Sequence, residues 1–287
     1  MKKLLLLAGV ISFSADLFAQ KAAVKLVFEQ GKVFTVNVSS TSTVSQEAMG
    51  QAIDFSVNAN VQHRFRVTNS TEDNTTLHHD LQRITYDFEG MGQSQKFDSD
   101  NPKDLNSQLA APIKEMLGKS YDMIIDPSGK VLMAKPETIE LSKGNDGSAL
   151  ISGLLREQAS LVFPPRKNEP SFFKILPETE VGLNEGWVES KIIGEDTTST
   201  SFTLTAITDT TYIIDFKGTA NSTTKAEMMG METVTKMNDH FTGTIIVDKA
   251  TGVMRQKTTI SESNGVTEVM GGVLPVTSKS RTDVIVE

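Results

Sequence analysis

The sequence predicts a mainly β chain of the α+β type: a long curved antiparallel sheet or open barrel with two central helices packed on it. Three observations carry this. From Ile53 to Val67 the residues alternate without a break: Ile53, Phe55, Val57, Ala59, Val61, His63, Phe65 and Val67 on one parity, Asp54, Ser56, Asn58, Asn60, Gln62, Arg64 and Arg66 on the other. Strand side chains alternate between faces, so one face is apolar except for His63 and the other is polar. Thr, Ser and Val are plentiful while aromatics are 6% of the chain, a composition suited to half-exposed strands. Helical spacing of apolar residues is confined to 102–161.

Taken in order, the chain opens with Met1-Lys2-Lys3, an apolar run Leu4 to Phe13, and Leu17-Phe18-Ala19. A basic start, a short apolar core and a small residue predict a secretory signal peptide over 1–19, too short to span a membrane, with cleavage after Ala19 and Ala15 as the weaker choice. Residues 20–287 then read as a single β-rich domain, with halves 20–135 and 178–287 joined by a helical segment 136–177. The expected location is the periplasm or outside the cell.

Val24, Leu26 and Phe28 alternate with polar neighbours, as do Phe34, Val36 and Val38. They predict two strands with a turn at Gln30-Gly31, the second continuing through the Ser/Thr tract 39–45 as an exposed edge. Gly50 turns the chain into the long strand. Leu77 to Phe88 is its expected hairpin partner, and a short strand follows near Gln95-Phe97. Asn101-Pro102 is a helix start, and Leu105, Leu109, Ile113, Met116 and Leu117 mark a helix that Pro112 should kink. Tyr121–Ile125 and 130–134 flank a turn at Asp126. A second helix is expected over 148–161, with Leu150, Leu154, Leu155 and Leu161 as its stripe. After a connector holding Phe172-Phe173, strands are expected from Trp187 to the end, including a Met-rich strand over 224–237 and a hairpin turning at Asp248. Trp187 is expected to anchor the second half on the helices.

Asp87-Phe88-Glu89-Gly90 is echoed by Asp215-Phe216-Lys217-Gly218, and each is followed by a strand that ends in an Asp turn, at Asp126 and at Asp248. The echo reads either as two related β-meanders or as a chance likeness between hairpins.

The segment Leu176-Pro177-Glu178, Val181 and Gly182-Leu183-Asn184-Glu185-Gly186-Trp187 resembles a junction in an uncharacterised family of exported β-rich proteins of Bacteroidota. The resemblance implies an exported β-rich fold and brings no activity with it. A more distant, topological likeness is to open-barrel lipoprotein carriers, in which a curved sheet wraps around helices.

Chemistry is sparse in this sequence. The net charge of −8 argues against nucleic acid and anionic membrane surfaces as partners. The absence of cysteine removes disulfides and thiolate metal sites. His78 and His79 are adjacent and point to opposite faces of a strand, and no His-x-His pair, nucleophile elbow or phosphate loop is present. No catalytic residue, metal ligand or cofactor is therefore expected, and the protein reads as no enzyme. Asp126 and Asp248 read as turn-capping residues, and His63 as a core histidine with one hydrogen-bond partner. The leading expectation is an exported binding protein of the cell envelope that holds a hydrophobic or lipid-like molecule against Phe55, Val57, Val61, His63, Phe65 and Tyr86. The alternative is a structural or protein-interaction module with the same face packed by its own helices and no small-molecule ligand.

Overall fold

The computed structural model describes residues 21–287 except 49–50, 91, 108–109, 142–154, 156–157, 229–230 and 270–271. The expected signal peptide, the turn at Gly50 and most of the second helix lie outside the described residues. The strands are β1 (Lys21–Ala22), β2 (Val33–Ala48), β3 (Gln51–Ser70), β4 (Thr75–Gly90), β5 (Gln93–Asp98), β6 (Ser120–Ile125), β7 (Val131–Lys135), β8 (Val181–Gly182), β9 (Gly186–Ile193), β10 (Asp196–Ile207), β11 (Thr211–Met228), β12 (Met231–Asp248), β13 (Met254–Val269) and β14 (Gly272–Val286). Two short helices, α1 (Pro102–Leu105) and α2 (Ala111–Leu117), and a 3-10 turn at Ser160–Val162 accompany them.

Twelve strands form one open antiparallel sheet in the order β7-β6-β4-β3-β2-β14-β13-β12-β11-β10-β9, with β5 beside the upper part of β4. The expected mainly β, open curved sheet is what the chain builds. At twenty residues β3 would extend over roughly 65 Å, and it pairs with β4 as its alternation predicts. The Ser/Thr tract belongs to β2 but is no edge. It lies mid-sheet, with β3 on one side and β14 on the other.

The same order of strands occurs twice across the sheet. β2, β3, β4, β6 and β7 are laid down as β9, β10, β11, β12 and β13 are, with β14 as the bridge between the two series. This is the arrangement a duplication requires. The echoed glycines have a common physical role. A Cβ at Gly90 would lie 2.4 Å from Phe55 Cβ, and one at Gly218 would lie 2.4 Å from the ring of Phe241, so each glycine makes room for the aromatic residue opposite it.

The two Asp turns also correspond. Asp126 Oδ1 accepts hydrogen bonds from Ser128 N and Oγ and from Lys130 N at 2.7–3.0 Å, and Asp248 Oδ1 accepts from Ala250 N and from Thr251 N and Oγ1 at 2.8–3.0 Å. Burial opposes ionisation at both, and hydrogen bonds outweigh it, those from Ser128 and Lys130 at Asp126 and those from Thr251 and Arg255 at Asp248, holding both carboxyls below the usual range. Asp126→Ala and Asp248→Ala should each cost about 1–2 kcal/mol in urea denaturation at pH 7. A loss under a few tenths would show that the turns hold their shape without the carboxylate.

Between these turns runs the segment 24–28, where the sequence suggested a strand. Its alternation is reproduced in burial, with Leu26 and Phe28 inside. Its backbone, however, pairs with three loops: Val24 N donates to Pro177 O, Leu26 N to Pro127 O, and Val27 N to Thr251 O. The period-two pattern records a half-buried extended segment, and nothing in it specifies a strand partner.

Two further expectations are corrected. The helix over 102–117 is two pieces, because Pro112 stands in the first turn of α2, where its missing N–H costs nothing, and so starts a helix instead of kinking one. Asn101 caps α1 as expected, accepting from Lys103 N. Trp187, expected to anchor the second half on the helices, makes its ring contact among the described residues with a neighbouring strand. It stacks on Phe202 at 5.1 Å and closes the far side of the lower core.

Candidate functional site

The apolar face of the sheet is covered in two stretches. The lower core gathers Val36, Phe65, Leu77, Met123, Leu204, Ile214 and Val247 from strands across the whole sheet around Leu26, Phe28, Phe173 and Leu176. Phe173 is its hub, with ring centroids at 5.3 Å from Phe28, 5.2 Å from Phe65 and 5.9 Å from Phe34. The upper core sets Val57, Val61, Leu81, Ile84 and Tyr86 of β3 and β4 against Ile113, Met116, Leu155, Ala159 and Val162.

All six residues expected to touch a ligand stand on this one face, and five of them are consumed by packing. Val61, His63 and Phe65 are fully buried, Val57 and Tyr86 nearly so, and Phe55 is half-buried. Tyr86 stacks on Phe97 at 5.3 Å, and burial, with the nearby Asp104, pushes its hydroxyl up to about 12.

Where the two cores meet lies a polar knot. His63 Nε2 is 3.0 Å from Gln158 O, and His63 Nδ1 is 3.1 Å from His79 Nε2. A carbonyl only accepts, so His63 carries its proton on Nε2 and accepts on Nδ1. His79 must then donate through Nε2, which leaves its Nδ1 a buried lone pair without a protein partner. The His79 ring is held between Phe65 at 4.8 Å and Tyr121 at 4.7 Å. Tyr121 donates to Leu161 O at 3.0 Å. The sheet thus grips the covering segment through two backbone carbonyls, those of Gln158 and Leu161. His63 has two partners where the sequence suggested one.

His79, Tyr121 and Gln158 were missed as members of this knot. Leu77, His79 and Leu81 do share a parity, but Ile84, Tyr86 and Phe88 stand on the other parity. A bulge, in which Gln62 faces Arg83 while His63 faces Leu81, absorbs the shift and keeps both sets inside. Gln158 could not be placed without the tertiary path of the segment that carries it. His78 points the other way and meets Asp122 at 2.7 Å on the polar face. Among the described residues, no three His, Asp or Glu side chains are grouped to hold a metal ion.

An open cavity among the described residues lies elsewhere. It measures about 990 Å³ and sits over the upper strands, where Asp54, Glu89, His240, Glu262, Asn264 and Lys279 are among its lining. These side chains have the parity of the polar face, and Phe55 is the one expected contact residue that reaches it.

Fold and site together define an open antiparallel-sheet protein whose apolar face is packed by its own chain. The chain belongs to a family described as "Family of unknown function (DUF6263)", whose model matches residues 72–135 and 166–254. No curated protein matches it. Among solved structures it is similar to lipovitellin, described under lipid–protein interactions, at 10% identity and a TM-score of 0.47 over 91% of this chain. The chain spans 25% of that protein's length. It is also similar to an outer membrane channel from Pseudomonas putida F1, at 9% identity and a TM-score of 0.31, covering 92% of this chain and 98% of the channel. Among the described residues no helix is long and apolar enough to cross a membrane.

Proposed function

We propose that this protein is an exported, non-enzymatic interaction module of the cell envelope that presents its polar sheet face and long upper hairpins to a partner. The single observation that carries this reading is the filling of the apolar face. Ile113, Met116, Leu155 and Val162 occupy the space over Val57 and Val61 that a carrier would keep for its ligand. His63 and His79 are likewise engaged in their knot, and Asp126 and Asp248 in their turns.

A second reading, a hydrophobic or lipid-like ligand held by the sheet, is favoured by Phe55 and Phe88. Their rings lie 5.9 Å apart, both are half-buried, and they stand at the rim of the upper core. Val57→Trp separates the readings. In a filled core the added ring should cost about 1–3 kcal/mol, and the parent protein should take up no lipophilic fluorescent dye. Dye uptake by the parent, lost in Val57→Trp at unchanged stability, would replace the interaction reading with the carrier.

A further inference from the structure

The last strand of the sheet, β9, is an open edge. It hydrogen-bonds to β10 along its whole length, and its other side has no backbone partner among the described residues. At the opposite end the connector covers the start of β7, where Val131 N donates to Glu169 O, Asn168 N to Val131 O and Ser171 N to Gly129 O. Seven of the eight β9 residues are exposed, and Trp187 is the exception. Gly186–Ile193 contains no proline and no bulge, and its protection as an edge rests on its short length and on the charges of Glu189 and Lys191, which a complementary partner strand would neutralise. Val188 is 66% and Ile192 75% exposed, both on the parity of the outer face.

The order of residues on this edge is self-complementary. We propose that β9 is a dimerisation strand, and that two copies of the chain join antiparallel along it about a twofold axis at Ser190. In that register Glu189 faces Lys191 of the second copy and Lys191 faces its Glu189. On the other face Val188 meets Ile192 and Ile192 meets Val188. Trp187 falls opposite Ile193, and Ser190 opposite itself. Opposite charges and matched apolar pairs in direct cross-strand register are what stabilise antiparallel pairing, and an isologous contact of this kind closes at two copies. The two sheets become one, and the exposed Val188, Ile192 and Ile193 each gain an apolar neighbour across the seam. Lys191 stands 3.9 Å from Glu169 within its own chain, a long ion pair between an exposed lysine and a half-buried glutamate that competes weakly with the new one.

Sedimentation velocity on the purified protein tests this directly. The wild type should be dimeric at about 100 μM, a concentration that saturates interfaces of micromolar affinity. Glu189→Lys and Lys191→Glu each place two like-charge pairs across the axis and should weaken the dimer at least about tenfold. The double variant Glu189→Lys/Lys191→Glu should restore it. An equimolar mixture of the two single variants should form a heterodimer, since each then supplies the charges that the other lacks. Glu169→Gln should leave the dimer unchanged, which separates the intermolecular pair from the internal one. Thermal melting confirms that each variant is folded, and the mixture reads association even if one variant is less stable. A wild type that stays monomeric, single variants that dimerise as well as the parent, or a double variant that is not rescued would each overturn the proposal.

Discussion

Phe173→Ala should cost about 3–5 kcal/mol, the largest loss expected from any single truncation in this chain. Phe173 is fully buried although it stands in a connector with no regular structure. Its ring is packed edge-on against Phe28 and Phe65, at 77° to each, and Phe172 lies 5.2 Å away. These contacts tie the N-terminal segment, the centre of β3 and the connector to one point. The rings around it are held by one another, which limits how far the cavity left by alanine can collapse. Phe172→Ala, at a half-buried position, should lose clearly less. Guanidinium denaturation of both variants checks this, and equal losses would show that the hub is shared.

Acid should unfold the protein ahead of its carboxylates, through the histidine knot. Burial lowers His63 to about 4 against the favourable bond to Gln158 O, and burial together with neighbouring His63 and His78 lowers His79 to about 2. The sign follows from proton counts. Near pH 5 the unfolded chain holds a proton on each of these histidines, while the folded chain holds none. Their contribution is therefore fully present above about 6.5 and is lost progressively as pH falls toward 4. With two protons at stake, unfolding free energy should fall by up to about 2.7 kcal/mol per pH unit in that window. The carboxyls of Asp126 and Asp248, held below the usual range, add their own loss only at lower pH. The double variant His63→Leu/His79→Phe should flatten the profile between pH 6 and 4 while costing about 1–3 kcal/mol at pH 7.5, since both partners of the inner hydrogen bond leave together but Gln158 O loses its donor. A parent protein whose urea midpoint is unchanged between pH 7 and pH 5 would show that the knot admits water and protons.

What the sequence discloses here depends on range. The alternation from Ile53 to Val67 is local, and it specified β3, its inner face and its pairing with β4. The Asp turns and the Asn101 cap are local as well. The switch of parity between Leu81 and Ile84 is visible in the sequence and marks the bulge, but only a partner strand shows that both sets face inward. Leu26 and Phe28 announced their burial and not their neighbours, because an extended segment held by three loops has the same pattern as a strand. The ligand face was legible as an apolar face. Whether it would be empty or filled depended on the path of residues 155–176, which no periodicity encodes. The edge at β9 escaped notice for a different reason: its residues read as an ordinary strand, and self-complementarity has meaning only once one side of that strand is known to be free.

The seam of the sheet lies between β2 and β14. Val36 pairs with Val286, and Thr35 exchanges both backbone hydrogen bonds with Glu287. Every other neighbouring pair along the main order of strands can form as soon as the later strand has been made, but β2 waits for the last residues of the chain. Until then its Ser/Thr tract offers an unpaired ladder more than ten residues long. A chain emerging from its N-terminus thus carries two unfinished sheets, and joining them is the step of greatest sequence separation, which makes it the slow one. Loss of even the final strand leaves two sheets with raw margins, so premature termination near residue 272 converts this protein from a folded product into a substrate for aggregation and proteolysis.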